Sequence, residues 1–231
     1  MSSQATLSTC RLRLVPLAEE HLEYEVELDS DPEVMRYLGN GTARSRAEVQ
    51  RYHHYRLAAA ELVPGLGFWV GFANKQPAGG VTEQPAGGVP EQPASSVTEQ
   101  FVGWWILEPP QRADQGPIMG QAELGYRLLR RYWRQGLASE GARELLRHGF
   151  EDLRLQRIFA ETMAVNQASR ATMAAIGMRH VRTFTADWDE PIPGAEHGEV
   201  EYAITRDEWL ASRRVSDNVG RRVSDKRWPS R

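Results

Sequence analysis

The chain has 231 residues, with 28 Lys+Arg against 31 Asp+Glu and a formal net charge of −3. At roughly 100–200 residues per domain this is one domain with additions, and no apolar run approaches the ~20 residues of a membrane-spanning helix. A single cysteine, Cys10, excludes an internal disulfide, and no Cys/His cluster has zinc-ligand spacing, so no metal is expected.

The stretch from Met1 to Thr6 has neither a charged n-region nor an apolar h-region, so no secretory signal is expected and the chain reads as cytoplasmic. Arg11 to Val15 alternates with period two and stops at Pro16, which predicts a first strand. Ala18 to Leu28 and Ser45 to Glu61 have helical spacing, the second behind Thr42 or Ser45 as N-cap. Phe68 to Phe72 and Phe101 to Ile106 read as two strands. Between them the octapeptide from Gln76 to Glu83 recurs from Gln84 and again from Gln92. Short copies rich in Pro and Gly cannot bury a face of their own, so 74–100 is expected to be a flexible insertion, not a solenoid.

Ala122 to Leu129 predicts another strand, and Leu137 to Leu153 a helix with Ala138, Ala142, Leu145, Leu146, Phe150 and Leu153 on one stripe. A strand over Arg157 to Met163, a short helix from Ser169 to Ile176 ended by Gly177, and a last strand over Val200 to Ile204 complete the order. The expected fold is therefore mixed α/β (α+β), one domain over 1–211. The tail, 212–231, carries seven basic residues against two acidic ones and is expected to be disordered. An acidic body with a basic tail argues against a nucleic-acid partner of the usual basic-face type.

The chemistry concentrates between Glu123 and Glu140. A strand runs into a loop with Arg130, Arg131, Arg134 and Gly136, then into a helix starting near Leu137. A helix start offers unpaired N–H groups and the positive end of a dipole, so it holds an anion. Glycine lets a ligand approach closely, and flanking arginines add charge where a pyrophosphate would sit. No Gly-Lys-Ser/Thr follows, so this is not a P-loop. The run from Gly136 to Gly141 also fits a relaxed dinucleotide fingerprint, with Glu161 about 20 residues on as ribose acid, which keeps an oxidoreductase in play.

Four segments in order resemble the GCN5-related N-acetyltransferase (GNAT) superfamily, in its branch similar to ribosomal-protein alanine/serine N-acetyltransferases. They are Asp31 to Leu38, Val102-Gly103-Trp104-Trp105, Tyr132 to Glu140, and Val165 to Arg170 followed by Ile176-Gly177-Met178. The resemblance spans about Cys10 to Trp209. It implies a largely antiparallel sheet flanked by helices and splayed at the acyl-CoA strand. It also implies acetyl-CoA as cosubstrate and direct transfer of acetyl to a primary amine, either a protein N-terminus or a cationic small molecule. Dimers are common in such families. The resemblance places acetyl-CoA on Leu124, Tyr126 and Leu128 of the strand, on Arg131, Arg134, Gln135, Gly136, Leu137, Ala138 and Ser139 of the loop and helix start, and on Asn166 and Ser169. Two positions depart from the superfamily pattern. Trp133 stands where the first residue of the loop motif is Gln or Arg, and Met173 stands where many members carry a tyrosine acid.

An amine is protonated near neutral pH, so a base must take a proton before attack. Glu123, beside the expected thioester, is the first candidate and Glu161 the second. For the acceptor, Tyr37, Trp104 and Trp105 are expected to wall the pocket. Asp187 and Glu190, with Asp29, Asp31 and Glu33, would attract a cation. The histidines have no ligand spacing and no Gly-x-Ser-x-Gly is present, so a serine elbow is unsupported. A non-catalytic acyl-CoA-binding module is the other reading.

Overall fold

The structure is a computed structural model and describes residues 4–73, 99–185 and 191–214. The octapeptides up to Thr98 and the tail from Val215 lie outside the described residues, as do Asp187 and Glu190. The strands are β1 (Leu7–Ser8), β2 (Leu12–Pro16), β3 (Gly67–Ala73), β4 (Gln100–Glu108), β5 (Gln121–Leu128), β6 (Arg157–Met163), β7 (Arg179–Phe184) and β8 (Glu199–Thr205). The helices are α1 (Leu22–Asp29), α2 (Pro32–Met35), α3 (Arg46–Leu62), α4 (Leu137–Arg147) and α5 (Gln167–Ala175). A further helix, α6, covers 206–214.

All eight strands form one sheet in the order β1-β2-β3-β4-β5-β6-β8-β7. Every pairing is antiparallel except β5 with β6. The period-two alternation decides which helix layer each side chain meets. On one face Leu12, Leu14, Trp69, Trp105 and Leu124 join Leu145, Phe150 and Met173 in the larger core. On the other, Phe68, Val70, Trp104 and Ile106 pack with Leu28, Val34 and Leu57 of α1, α2 and α3. Central β3 and β4 are covered on both sides, so they read as apolar runs.

Local signals fix the helices. Ser45 is the N-cap of α3 and forms a capping box with Glu48. Asp31 caps α2 by accepting from the Glu33 N–H at 2.9 Å, and Pro32 occupies its first turn. The α4 stripe continues beyond Arg147 as a π-type turn over His148–Asp152, which keeps Phe150 in the core. Two edge strands, β1 and β7, escape the pattern. β1 has two residues, and Arg179, His180 and Val181 of β7 are exposed, so neither shows an apolar alternation.

One irregularity matters for function. β5 and β6 are registered only from Gln121↔Arg157 to Glu123↔Phe159, although they continue to Leu128 and Met163. Beyond that point β5 stays on β4, as far as Gly103↔Leu128, while β6 stays on β8. The sheet forks, and Glu123 stands at the fork.

Candidate active site

A cleft of about 1290 Å³ opens at the fork. One half lies between β5, the start of α4 and α5, and the other beneath α2 and α3. In the first half, Gly136 is the N-cap of α4 at φ +78°, a left-handed conformation that favours glycine. The first intrahelical bond runs from the Glu140 N–H to the Gly136 carbonyl at 3.0 Å. The first-turn N–H groups therefore have no helical partner, and Gly136, Leu137, Ala138 and Ser139 all line the cleft. Arg134 also lines it, exposed and without an ion pair among the described residues. Its φ of +59° is rare for a residue with a side chain and completes the tight turn.

The loop is held by bonds that sequence reading did not foresee. The Trp133 indole N–H donates to the Leu128 carbonyl at 2.7 Å, tying the loop to the end of β5, which accounts for tryptophan at this place. Arg11 donates to Glu140 Oε2 at 2.7 Å and to the Gln135 carbonyl at 2.9 Å. Gln135 itself donates to the Arg131 carbonyl and does not line the cleft. Arg131 does not line the cleft either, its guanidinium pairing with Glu27 at 2.8 Å.

Leu124, Tyr126 and Leu128 line the unpaired edge of β5. Asn166 caps α5 by accepting from the Ser169 N–H at 3.2 Å and donates to Thr162 at 3.0 Å, and both Asn166 and Ser169 still face the cleft. Met173 is fully buried in the core and offers no proton donor. The Tyr126 hydroxyl instead meets α5, donating to the Ser169 carbonyl at 3.1 Å.

Glu123 lines the cleft at the fork and accepts from Gln115 Nε2 at 3.1 Å. Burial, helped by the neighbouring carboxylates of Glu161 and Glu108, pushes its carboxyl up to about 8. Glu161, the second candidate base, is committed elsewhere: Arg112 donates to both its oxygens at 3.0 and 2.8 Å, and Gln115 adds a bond at 3.2 Å.

In the other half, Tyr37 and Trp104 line the wall as expected. Trp105 does not. Adjacent strand residues face opposite ways, and Trp105 is fully buried against α4, its indole donating to the Ala138 carbonyl at 3.2 Å. A Cβ on Gly141 would come within 2.5 Å of that ring, so α4 requires glycine there. Asp29, expected to attract a cation, is also corrected. It is fully buried and paired with Arg127, with Arg44 at 3.2 Å and with Arg56 at 3.5 Å. Of the acidic residues between the first helices, Glu33 lines the cleft.

A sheet forked beside a helix N-terminus, with a raised carboxyl at the fork, defines an acyltransferase cleft, and the comparisons place the chain within that class. A family model for the acetyltransferase (GNAT) domain matches residues 11–179, and the chain belongs to this family. It is 40% identical over 218 residues to the FsC-acetyl coenzyme A-N(2)-transacetylase of Aspergillus fumigatus, covering 94% of this chain and 83% of that protein. Among solved structures it resembles RimL, a ribosomal L7/L12 alpha-N-protein acetyltransferase in complex with coenzyme A. That match has TM-score 0.65 and 16% identity, over 88% of this chain and 99% of the other. It also resembles the spermidine N-acetyltransferase of Vibrio cholerae with CoA and spermine, with TM-score 0.63 and 14% identity over 87% and 99%. Likeness at such identity shows the fold. The dinucleotide reading is thereby overturned: a doubly wound parallel sheet is absent, since only one strand pair is parallel among the described residues.

Proposed function

We propose that the chain is an acetyl-CoA-dependent N-acetyltransferase that moves acetyl directly to the primary amine of a small molecule. The observation that carries this reading is the fork: a free β5 edge that ends, on one side, at a helix N-terminus and, on the other, at a carboxyl pushed up to about 8. The first-turn N–H groups of α4, with Arg134, suit a diphosphate, and the exposed edge of β5 suits an extended pantetheine arm held like an added strand. A β5 N–H aimed at the thioester oxygen would stabilise the charge that develops there.

Glu123 is the base in this reading. A carboxyl near 8 is matched to an α-amine at about 7.7–8.0 and lies closer to a lysine-like amine than an ordinary carboxylate does. The amine nitrogen attacks the thioester carbon, the carbon–sulfur bond breaks, and the second N–H proton leaves with the thiolate. The relative that shares 40% of its residues is named for transfer to an N(2) nitrogen, which supports a small-molecule acceptor over a protein N-terminus.

Acetyl-CoA at 100 times its Kd is expected to stabilise the folded chain by about 2.7 kcal/mol, with no response to NAD(H). Thermal unfolding measures both, and a response to NAD(H) alone would overturn the reading. Coenzyme A release, followed with a thiol reagent, then ranks L-alanine amide, spermidine and a hexapeptide with a free N-terminal serine. Binding without release from any amine would favour the non-catalytic module. Gly136→Val should weaken acetyl-CoA binding at least tenfold, because a β-branched residue at φ +78° disturbs the turn and crowds the diphosphate; calorimetric titration reads it.

A further inference from the structure

The acceptor half of the cleft holds a second carboxylate that the mechanism above leaves unused. Glu108 ends β4, and its Cα is registered directly opposite that of Glu123 on β5. Side chains opposite each other on antiparallel strands share a face with Cβ atoms ~4.5–5.5 Å apart, and like charges so placed repel. Most other carboxylates around the fork have arginine partners; Glu199, near Glu161, has no ion pair and a buried Oε1 without a partner among the described residues, but it does not line the cleft. Glu161 is held by Arg112, with Arg182 at 3.7 Å, Asp114 is held by Arg112 and Arg182, and Glu201 by Arg157 and Arg182. Neither Glu108 nor Glu123 has an ion pair among the described residues. Gln111 offers Glu108 a long bond at 3.4 Å, and Gln115 serves Glu123.

Two partly buried, unpaired carboxylates side by side are neutralised either by protons, as in the free protein, or by a bound cation. Of the rings that line the same half of the cleft, Trp104, Phe68 and Tyr52 already carry the guanidinium groups of Arg127, Arg56 and Arg44, and Tyr55 carries no cation among the described residues, which leaves its face for the acceptor. Trp104 is 7% exposed and its indole N–H has no partner among the described residues; as a donor it suits an oxygen of the acceptor, not its ammonium.

We propose that Glu108 anchors the acceptor's ammonium and holds it against Glu123, so that the acceptor enters protonated and is selected by its charge. The proposal rests on the reading of Glu123 as base. The proton leaves the ammonium for the Glu123 carboxylate, the free amine forms the amide, and Glu108 keeps its negative charge throughout.

The groups that face the pair are Glu161 on β6, Arg112 and Gln115 between β4 and β5, and Arg56 on α3, with Glu199 of β8 next to Glu161 and Tyr55 of α3 bonded to Gln111. Arg56 is already engaged by Glu25 and Asp29. Burial pushes Glu108 itself up to about 7, so it is charged over the alkaline range where Glu123 titrates. Its charge helps to hold Glu123 high, and removing it should let Glu123 fall.

The test compares wild type, Glu108→Gln and Glu108→Asp with the three amines above. Glu108→Gln should raise the amine KM, or its calorimetric Kd, about tenfold or more. It should also move the acid limb of kcat/KM to lower pH and leave the acetyl-CoA Kd within twofold; Glu108→Asp should restore much of the amine affinity. Carboxyl carbon NMR of glutamate-labelled protein reads the downward shift of Glu123 without any acceptor. An unchanged amine KM with an unchanged acid limb overturns the proposal, as does a wild-type chain that binds none of the three amines. Loss of turnover in Glu123→Gln together with an unaffected Glu108→Gln refutes the anchor alone, while full turnover in Glu123→Gln refutes the base.

Discussion

Replacing Glu123 with glutamine is expected to lower kcat at about pH 8 by 10²- to 10⁴-fold, the usual loss when a positioned base is removed, with the acetyl-CoA Kd unchanged. The amide is isosteric and can keep the contact with Gln115, so the fork should survive while its proton acceptor is lost. The pH dependence has a definite sign. In the folded chain the carboxyl sits near 8, well above its unfolded value, because burial and then Glu161 and Glu108 disfavour the charged form. The folded state therefore holds a proton that the unfolded state has lost, and this group's contribution to stability falls as pH rises from the ordinary carboxylate range towards 8. Glu123→Gln removes that loss. It should unfold at a higher temperature than wild type near pH 8.5, by on the order of 4 kcal/mol of stability at 1.36 kcal/mol per pKa unit, and should match wild type near pH 4. A variant that is less active yet more stable at alkaline pH is the signature of a strained functional carboxyl, and scanning calorimetry at the two pH values reads it. Equal stability at both would show that the site does not hold the proton.

Asp29→Ala is expected to cost about 3–5 kcal/mol, the range for removing one partner of a buried ion pair. Burial opposes the charge on Asp29, but Arg127, Arg56 and Arg44 outweigh it and hold the carboxyl below its usual range. Without it these guanidinium groups would face one another in a dry space. Arg127 is the most exposed to that change, since burial already lowers it to about 10 and its Nε has no partner among the described residues. It stacks 4.8 Å from the Trp104 ring and lies on β5 four residues from Glu123, so the acceptor wall should loosen along with the fold. Urea denaturation measures the cost. Because the folded-state value is depressed, the stability that Asp29 supplies is present at neutral pH and disappears as pH falls through the acid range. Asp29→Ala and wild type should therefore converge in acid; a constant difference between them would mean that packing, not charge, is what Asp29 provides.

The elements with strong local signals were legible. Alternation gave β2, strand-type apolar runs gave β3, β4, β5, β6 and β8, and helical spacing behind Thr42 or Ser45 gave α3, whose cap the structure assigns to Ser45. The motif from Tyr132 to Glu140 located the helix start at Gly136, because that signal is itself local: a glycine in a left-handed turn beside unpaired N–H groups. For the second base candidate, nothing in its neighbourhood along the chain reveals that Arg112, 49 positions away, pairs with Glu161.

The sequence by itself determined the family, the main strands and helices, and Glu123 as the carboxyl at the head of β5. Only the tertiary structure decided which of two adjacent tryptophans faces the cleft, that Asp29 is locked among arginines, and that Glu108 stands opposite Glu123. The physical reason is register. Which face a side chain takes, and which distant charge it meets, depends on how strands far apart in the chain are aligned, and a slip of one residue in that alignment would reverse every such assignment.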